Sequence, residues 1–211
     1  MIQGEQQIDA VTRTVSAREV PAGAVRVVSL SQAYDTGLDD LWDAVTSAER
    51  LPRWFLPVTG ELREGGRYQF EGNAGGTIER CAKPALSATW EFGGQISWVE
   101  VRLVAEGPER TRLELDHLAL ADDKTWAEYG PGATGVGWDG GLMGLHLYLS
   151  GDGSPVDREA VAAWSASDDG KRFVTASSER WYEAAVAGGE DPAVARAAAD
   201  RTTAAYTGAP A

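Results

Sequence analysis

The sequence predicts an α+β fold: an antiparallel sheet of about seven strands wrapped around a long C-terminal helix, plus a helical extension. Three observations predict it. Past Pro57 the hydrophobic residues recur with period two, and glycine pairs fall between the runs at hairpin spacing. Near Gly137 the spacing changes to a single helical stripe. Beyond residue 150 alanine becomes abundant, with Ser154-Pro155 and Asp191-Pro192 as helix starts. With 43% hydrophobic residues in 211, the chain can build a sizeable core, and general disorder is excluded.

Residues 1–24 mix Ile8, Val11 and Val15 at helical spacing with Thr12, Thr14 and Ser16, which form helices poorly. A short helix and an added edge strand both fit. Val25 to Tyr34 is β-branched and reads as a strand. Asp35-Thr36 can cap a helix striped by Leu38, Leu41, Trp42 and Val45. A second helix is expected over Ala48 to Phe55, with Pro52 in its first turn or bending it. Strands follow at Val58–Leu62, Arg67–Gly72, Thr77–Ala82, Leu86–Phe92, Ile96–Ala105 and Thr111–Leu120. Alternation puts Tyr68 and Phe70 on one face, and likewise Leu86, Ala88, Trp90 and Phe92. Val99, Val101 and Leu103, then Leu113, Leu115 and His117, continue an apolar side that must be covered.

The expected cover is the next helix, where Trp138, Leu142, Leu145 and Leu149 form the stripe. Gly140, Gly141 and Gly144 weaken it by about 1 kcal/mol each relative to Ala. Close backbone approach or room for a ligand would explain them. In the extension, Phe173, Ser177, Trp181 and Ala185 mark a helix stopped at Gly188-Gly189, and another runs from Ala193 to about Tyr206. The expected division is therefore an N-terminal segment (1–24) packing on a domain of 25–150. The extension (151–211) docks on that domain or on a second subunit.

Charge and composition exclude several function classes. There are 32 acids against 19 bases, a net charge of -13, and no Lys/Arg cluster, so no nucleic-acid partner is expected. No apolar run approaches the roughly 20 residues of a membrane span. The start, MIQGEQQIDAVTRTV, has no secretory pattern. A single cysteine, Cys81, excludes an internal disulfide. Two histidines without ligand spacing give no support for a metal, and no cofactor motif is present. A cytoplasmic setting is expected.

A strand, two short helices, six antiparallel strands and a long helix follow the order of the helix-grip fold. The runs AVTSAERLPRWFLPVTGELREGGRYQF, GGTIERCAKPALSATWEFGG, TRLELDHLAL and GVGWDGGLMGLHLYL go further. They resemble the bacterial homologues of the activator of heat-shock protein 90 ATPase, in the START-like (SRPBCC, birch-pollen-allergen-like) superfamily. The resemblance spans about 25–150. It implies a sheet around the final helix and a cavity for apolar or lipid ligands, or a chaperone-interaction role. The extension departs from the compact family pattern and suggests a filled cavity mouth or a homodimer contact.

His117 is the candidate polar residue. Facing inward, it can anchor a ligand carbonyl or act as a general base, whereas the common use of such an imidazole is a hydrogen bond to a backbone carbonyl. Asp116 points to the other face and His146 lies off the helix stripe. Arg80 and Lys83 beside Cys81 could lower its thiol pKa, though a strand position favours an inert residue. The loop 72–76 reads as a hairpin with Asn73 or a glycine at positive φ, not a phosphate cradle. Trp98, Ile96 and Val104 face outward, a strip that Trp164 and Trp181 of the extension are expected to cover.

These residues predict a binder of a small, apolar or amphipathic molecule. Its expected lining is Tyr68, Phe70, Trp90, Phe92 and Val99, with Leu113, Leu115 and His117, and from the helix Trp138, Leu142 and Leu145. Two alternatives come from other classes: a chaperone-interaction module, and a cyclase, dehydratase or hydrolase with His117 as base.

Overall fold

The structure is a computed structural model that describes residues 4–120 and 124–208. In chain order the elements are α1 (Gly4–Ala10), β1 (Thr12–Val20), β2 (Gly23–Tyr34), α2 (Leu38–Thr46) and α3 (Leu51–Trp54). Then come β3 (Val58–Gly60), β4 (Arg67–Phe70), β5 (Gly75–Ala82), β6 (Ala85–Phe92), β7 (Gln95–Gly107) and β8 (Arg110–Leu120). Five helices close the chain: α4 (Lys124–Tyr129), α5 (Gly132–Leu149), α6 (Arg158–Ala166), α7 (Asp168–Ala187) and α8 (Pro192–Thr207). The strands form one eight-stranded sheet in the order β1-β2-β8-β7-β6-β5-β4-β3. The α+β expectation holds with one strand more, because Thr12–Val20 becomes the edge strand that its β-branched residues allowed. Ile8 and its neighbours take the helical alternative, so both readings of the N-terminal segment are used in succession.

Two compact units emerge. One comprises Ser31–Leu118 and Gly144–Val156; the other gathers the chain up to Leu30, Ala119–Met143 and the residues from Asp157 onward.

The first of these is built on the meander. Its register aligns Ala88 with Val99 and Trp90 with Ser97 across β6–β7, and Val99 with His117 and Val101 with Leu115 across β7–β8. Val99, Val101, Leu113, Leu115 and His117 are buried on that shared face. Gly93 and Gly94 both take positive φ in the two-residue turn between β6 and β7, the geometry that matches strand twist. The 72–76 turn is a hairpin as expected, with Gly72 rather than Asn73 at positive φ; Asn73 Oδ1 accepts from the Ala74 N–H.

Helix α2 buries Leu41, Ala44 and Val45. Its N-cap is Gly37, without a side-chain cap, so the expected capping by Asp35-Thr36 is corrected: the Thr36 hydroxyl donates to Asp40 instead. α3 is shorter than expected and carries Pro52 in its first turn. The Trp54 indole donates to the Ala44 carbonyl at 2.9 Å, and the Trp54 carbonyl lies 2.4 Å from where a Cβ on Gly144 would stand. Close approach is therefore what that glycine provides.

The other unit holds α1, β1, α4 and α6–α8. Asp157, Ser167 and Asp191 cap α6, α7 and α8 through their side chains. The start expected at Ser154-Pro155 thus moves to Asp157, because the capping carboxylate decides it. The alanine face of α8 is buried at Ala195, Ala198 and Ala199, and small side chains let helices approach closely. Trp181 is 1% exposed and its indole sits 2.3 Å from a virtual Cβ on Gly135. Trp164 stacks edge-on with Phe173 at 5.5 Å. Both tryptophans of the extension pack against residues of their own unit, and Ile96 is 48% exposed. No described helix is long and apolar enough to cross a membrane.

Candidate functional site

The strands of the meander carry a run of aromatic rings toward His117. Phe55 meets Phe70 edge-on at 5.0 Å, Tyr68 meets Phe70 at 5.3 Å, and Phe70 meets Trp90 at 5.8 Å. Trp90 in turn meets the His117 imidazole at 6.1 Å. Such tilted and edge contacts suit the ring quadrupoles. Tyr68 and Phe70 are buried with Ile78 and Ala88, while Phe55 and Trp90 remain half-buried against them. The Tyr68 hydroxyl donates to the Thr89 carbonyl at 2.7 Å, and burial, then the Glu91 carboxylate, push its pKa well up. It stays a neutral phenol.

His117 is 3% exposed. Its Nε2 lies 2.9 Å from the Ser97 hydroxyl, which donates to the Trp90 carbonyl at 3.1 Å. A carbonyl oxygen only accepts, so when the hydroxyl hydrogen points to Trp90 the imidazole Nε2 is the donor to Ser97, which is the Nε2–H tautomer of His117.

Ser97 was not among the sequence candidates. Its signal was present: two residues before Val99, it shares the inward parity, and a hydroxyl on an otherwise apolar face needs a partner.

The other expected lining residues divide. Val99, Leu113 and Leu115 are buried beside His117, and Leu145 is buried in the same unit. Leu142 is buried and Trp138 half-buried, both on the part of α5 that belongs to the other unit. Phe92 is corrected: it is 60% exposed, because it ends β6 beside the Gly93-Gly94 turn, where nothing remains to pack on the strand. Cys81 is also corrected in its electrostatics. Burial, then Glu64, raise its thiol pKa, the opposite direction from the lowering that Arg80 and Lys83 offered. His146 is exposed on α5, with Nδ1 3.4 Å from the Ser150 hydroxyl. Among the described residues no group of three or more His, Cys, Asp or Glu could hold a metal ion.

On the opposite face lies a groove of about 340 Å³ bounded by Arg80, Ser87, Glu100, Arg102, Glu114 and Asp116. Arg102 pairs with Glu114 at 2.5 Å there.

The second cluster that sequence reasoning missed is in the other unit. Asp139 on α5 accepts from Arg13 Nε and Nη2, from the Ser177 hydroxyl at 2.5 Å and from the Trp181 indole at 3.1 Å. Burial pushes its carboxyl above the ordinary value, opposed by Arg13, Ser177 and Trp181. Arg13 also donates to the carbonyls of Ile8 and Val11, so the group fastens α1, β1, α5 and α7. Every polar atom of the carboxylate is satisfied, which marks a structural use.

Comparison with known proteins supports the same grouping. The family described as "Activator of Hsp90 ATPase homolog 1-like protein" matches residues 35–150. The crystal structure of CalU16 from Micromonospora echinospora is 33% identical, covers 86% of this chain and 99% of its own, and superposes with a TM-score of 0.66. Its solution structure gives 34% identity, coverage of 85% and 97%, and a TM-score of 0.69. EF2215 from Enterococcus faecalis, a conserved protein of unknown function, shares the fold alone at 16% identity, with coverage of 84% and 92% and a TM-score of 0.55. Among curated proteins none matches. With a matched region that takes in β3 to β8 and the whole of α5, the chain belongs to the family of proteins like the activator of Hsp90 ATPase homolog 1.

Proposed function

We propose that the protein binds a small, largely apolar ligand against the aromatic face of its meander, with the His117–Ser97 pair as the polar end of the site. The observation that carries this reading is the sequence of rings Phe55, Phe70 and Trp90 leading to a buried imidazole. Buried polar groups set among aromatics orient a ligand whose affinity comes from apolar area. Trp90 and Phe55 are incompletely buried, so ligand contact there would remove further apolar surface from water, at about 25 cal/mol per Å². Val99, Leu113, Leu115 and Leu145 complete the apolar surroundings within the same unit. The setting we propose is cytoplasmic, where Cys81 remains reduced.

Titration with fatty acids, flavonoids and aromatic polyketides, followed by tryptophan emission, tests the proposal. A saturable change with at least one class is expected, weakened about tenfold in His117→Gln, the loss that one hydrogen bond of about 1.4 kcal/mol represents. No saturable change with any class contradicts it.

A second reading, a protein-interaction module of the kind the family description records, is favoured by the charged groove on the opposite face. It requires that adding the protein change the ATPase rate of an Hsp90; an unchanged rate removes it.

A further inference from the structure

The direction of the hydrogen bonds at Ser97 restricts which polar group a ligand can bring. A hydroxyl has one hydrogen and two acceptor sites. The Ser97 hydroxyl lies 3.1 Å from the Trp90 carbonyl and 2.9 Å from His117 Nε2, so its one hydrogen is used between them; with that hydrogen on Trp90, one acceptor site takes the Nε2–H. What remains on the half-buried Ser97 is a single acceptor site, across the β6–β7 register from Trp90. The nearby oxygens reinforce this polarity, since the carbonyl of Trp90 can only accept. A group approaching Ser97 must therefore donate. We infer that Ser97 is a specificity-determining residue and that the site selects flat aromatic alcohols, phenols above all, over carboxylates and over ethers of the same shape. The inference rests on the ligand-binding reading and names its ligand class.

The physical argument is one of satisfaction. A phenol O–H completes the hydroxyl's hydrogen bonding and lays its ring against Trp90. An ether of the same outline brings no donor, and an ionised carboxylate brings only acceptors and charge to a place already lined by oxygen lone pairs, with its desolvation uncompensated. Sites built to bond a hydroxyl reject analogues that lack it more strongly than apolar pockets reject a change of size.

The experiment compares 2-naphthol, 2-methoxynaphthalene and 2-naphthoate by isothermal calorimetry on the full chain and on Ser97→Ala. 2-Naphthol is expected to bind about tenfold more tightly than either analogue, the difference one hydrogen bond makes, and Ser97→Ala to bring 2-naphthol down to the level of the ether. Nitrogen-15 spectra of the wild-type imidazole give a readout independent of any variant: Nε2 of neutral His117 is expected to be the protonated, pyrrole-type nitrogen. If 2-naphthoate or the ether binds as tightly as 2-naphthol, or if Nε2 is the unprotonated nitrogen, the inference is overturned while the ligand-binding reading stands. If none of the three binds and the wider panel also fails, both fall together.

Discussion

Asp139→Ala is expected to destabilise the protein by about 3–5 kcal/mol, the cost of removing one partner from a buried ion pair. The side chains of Arg13 and Asp139 are 4% and 1% exposed. Truncation leaves the guanidinium with the Ile8 and Val11 carbonyls but no counter-charge, and strands the Ser177 hydroxyl and the Trp181 indole. Urea unfolding followed by circular dichroism measures the change. The double substitution Arg13→Met with Asp139→Leu is expected to recover most of the loss, because two apolar groups need no partner. A loss of under about 1 kcal/mol for Asp139→Ala would show that the pair is solvated or dispensable.

Two alanine substitutions in α5 are expected to have opposite signs. Added to Gly135, a Cβ falls 2.3 Å from the Trp181 ring, which is buried and held by its indole N–H to Asp139. The ring cannot swing away, so Gly135→Ala is expected to cost about 1–3 kcal/mol, as overpacked cores do. At Gly140 nothing lies within 4 Å of the added Cβ. There only helix propensity acts, and Gly140→Ala is expected to stabilise by about 0.5–1 kcal/mol. Thermal unfolding of the two variants beside the wild type reads the signs directly; a stabilised Gly135→Ala contradicts the packing described for Trp181.

Much of this architecture was legible because local patterns agreed with tertiary demands. Strict alternation in β7 and β8 predicted the buried face, and Gly188-Gly189 and Asp191-Pro192 marked the end of α7 and the start of α8. Where local signals competed, the sequence left the outcome open: Ile8, Val11 and Val15 favour a helix, while Thr12, Thr14 and Val15 favour a strand, and packing gives each its part. Alternation also carries no information about where a sheet ends, which is why Phe92 read as inward and stands exposed. Asp139 was invisible for another reason. One acid on a glycine-rich helix looks like a solvated face, and its partners, Arg13 and Ser177, lie 126 and 38 residues away. At the candidate site His117 and Ser97 were both legible from parity, whereas their pairing required the cross-strand register that sets Ser97 opposite Trp90 and His117 opposite Val99.

The most direct test of ligand binding at the meander's inner face is a map of amide chemical-shift changes when the tightest binder of the panel is added to saturation. The predicted result is a contiguous set of shifts at Phe70, Trp90, Ser97, Leu115 and His117, with Ser87, Glu100 and Arg102 unchanged. Shifts confined to the groove of Ser87, Glu100, Arg102 and Glu114 on the opposite face would contradict it.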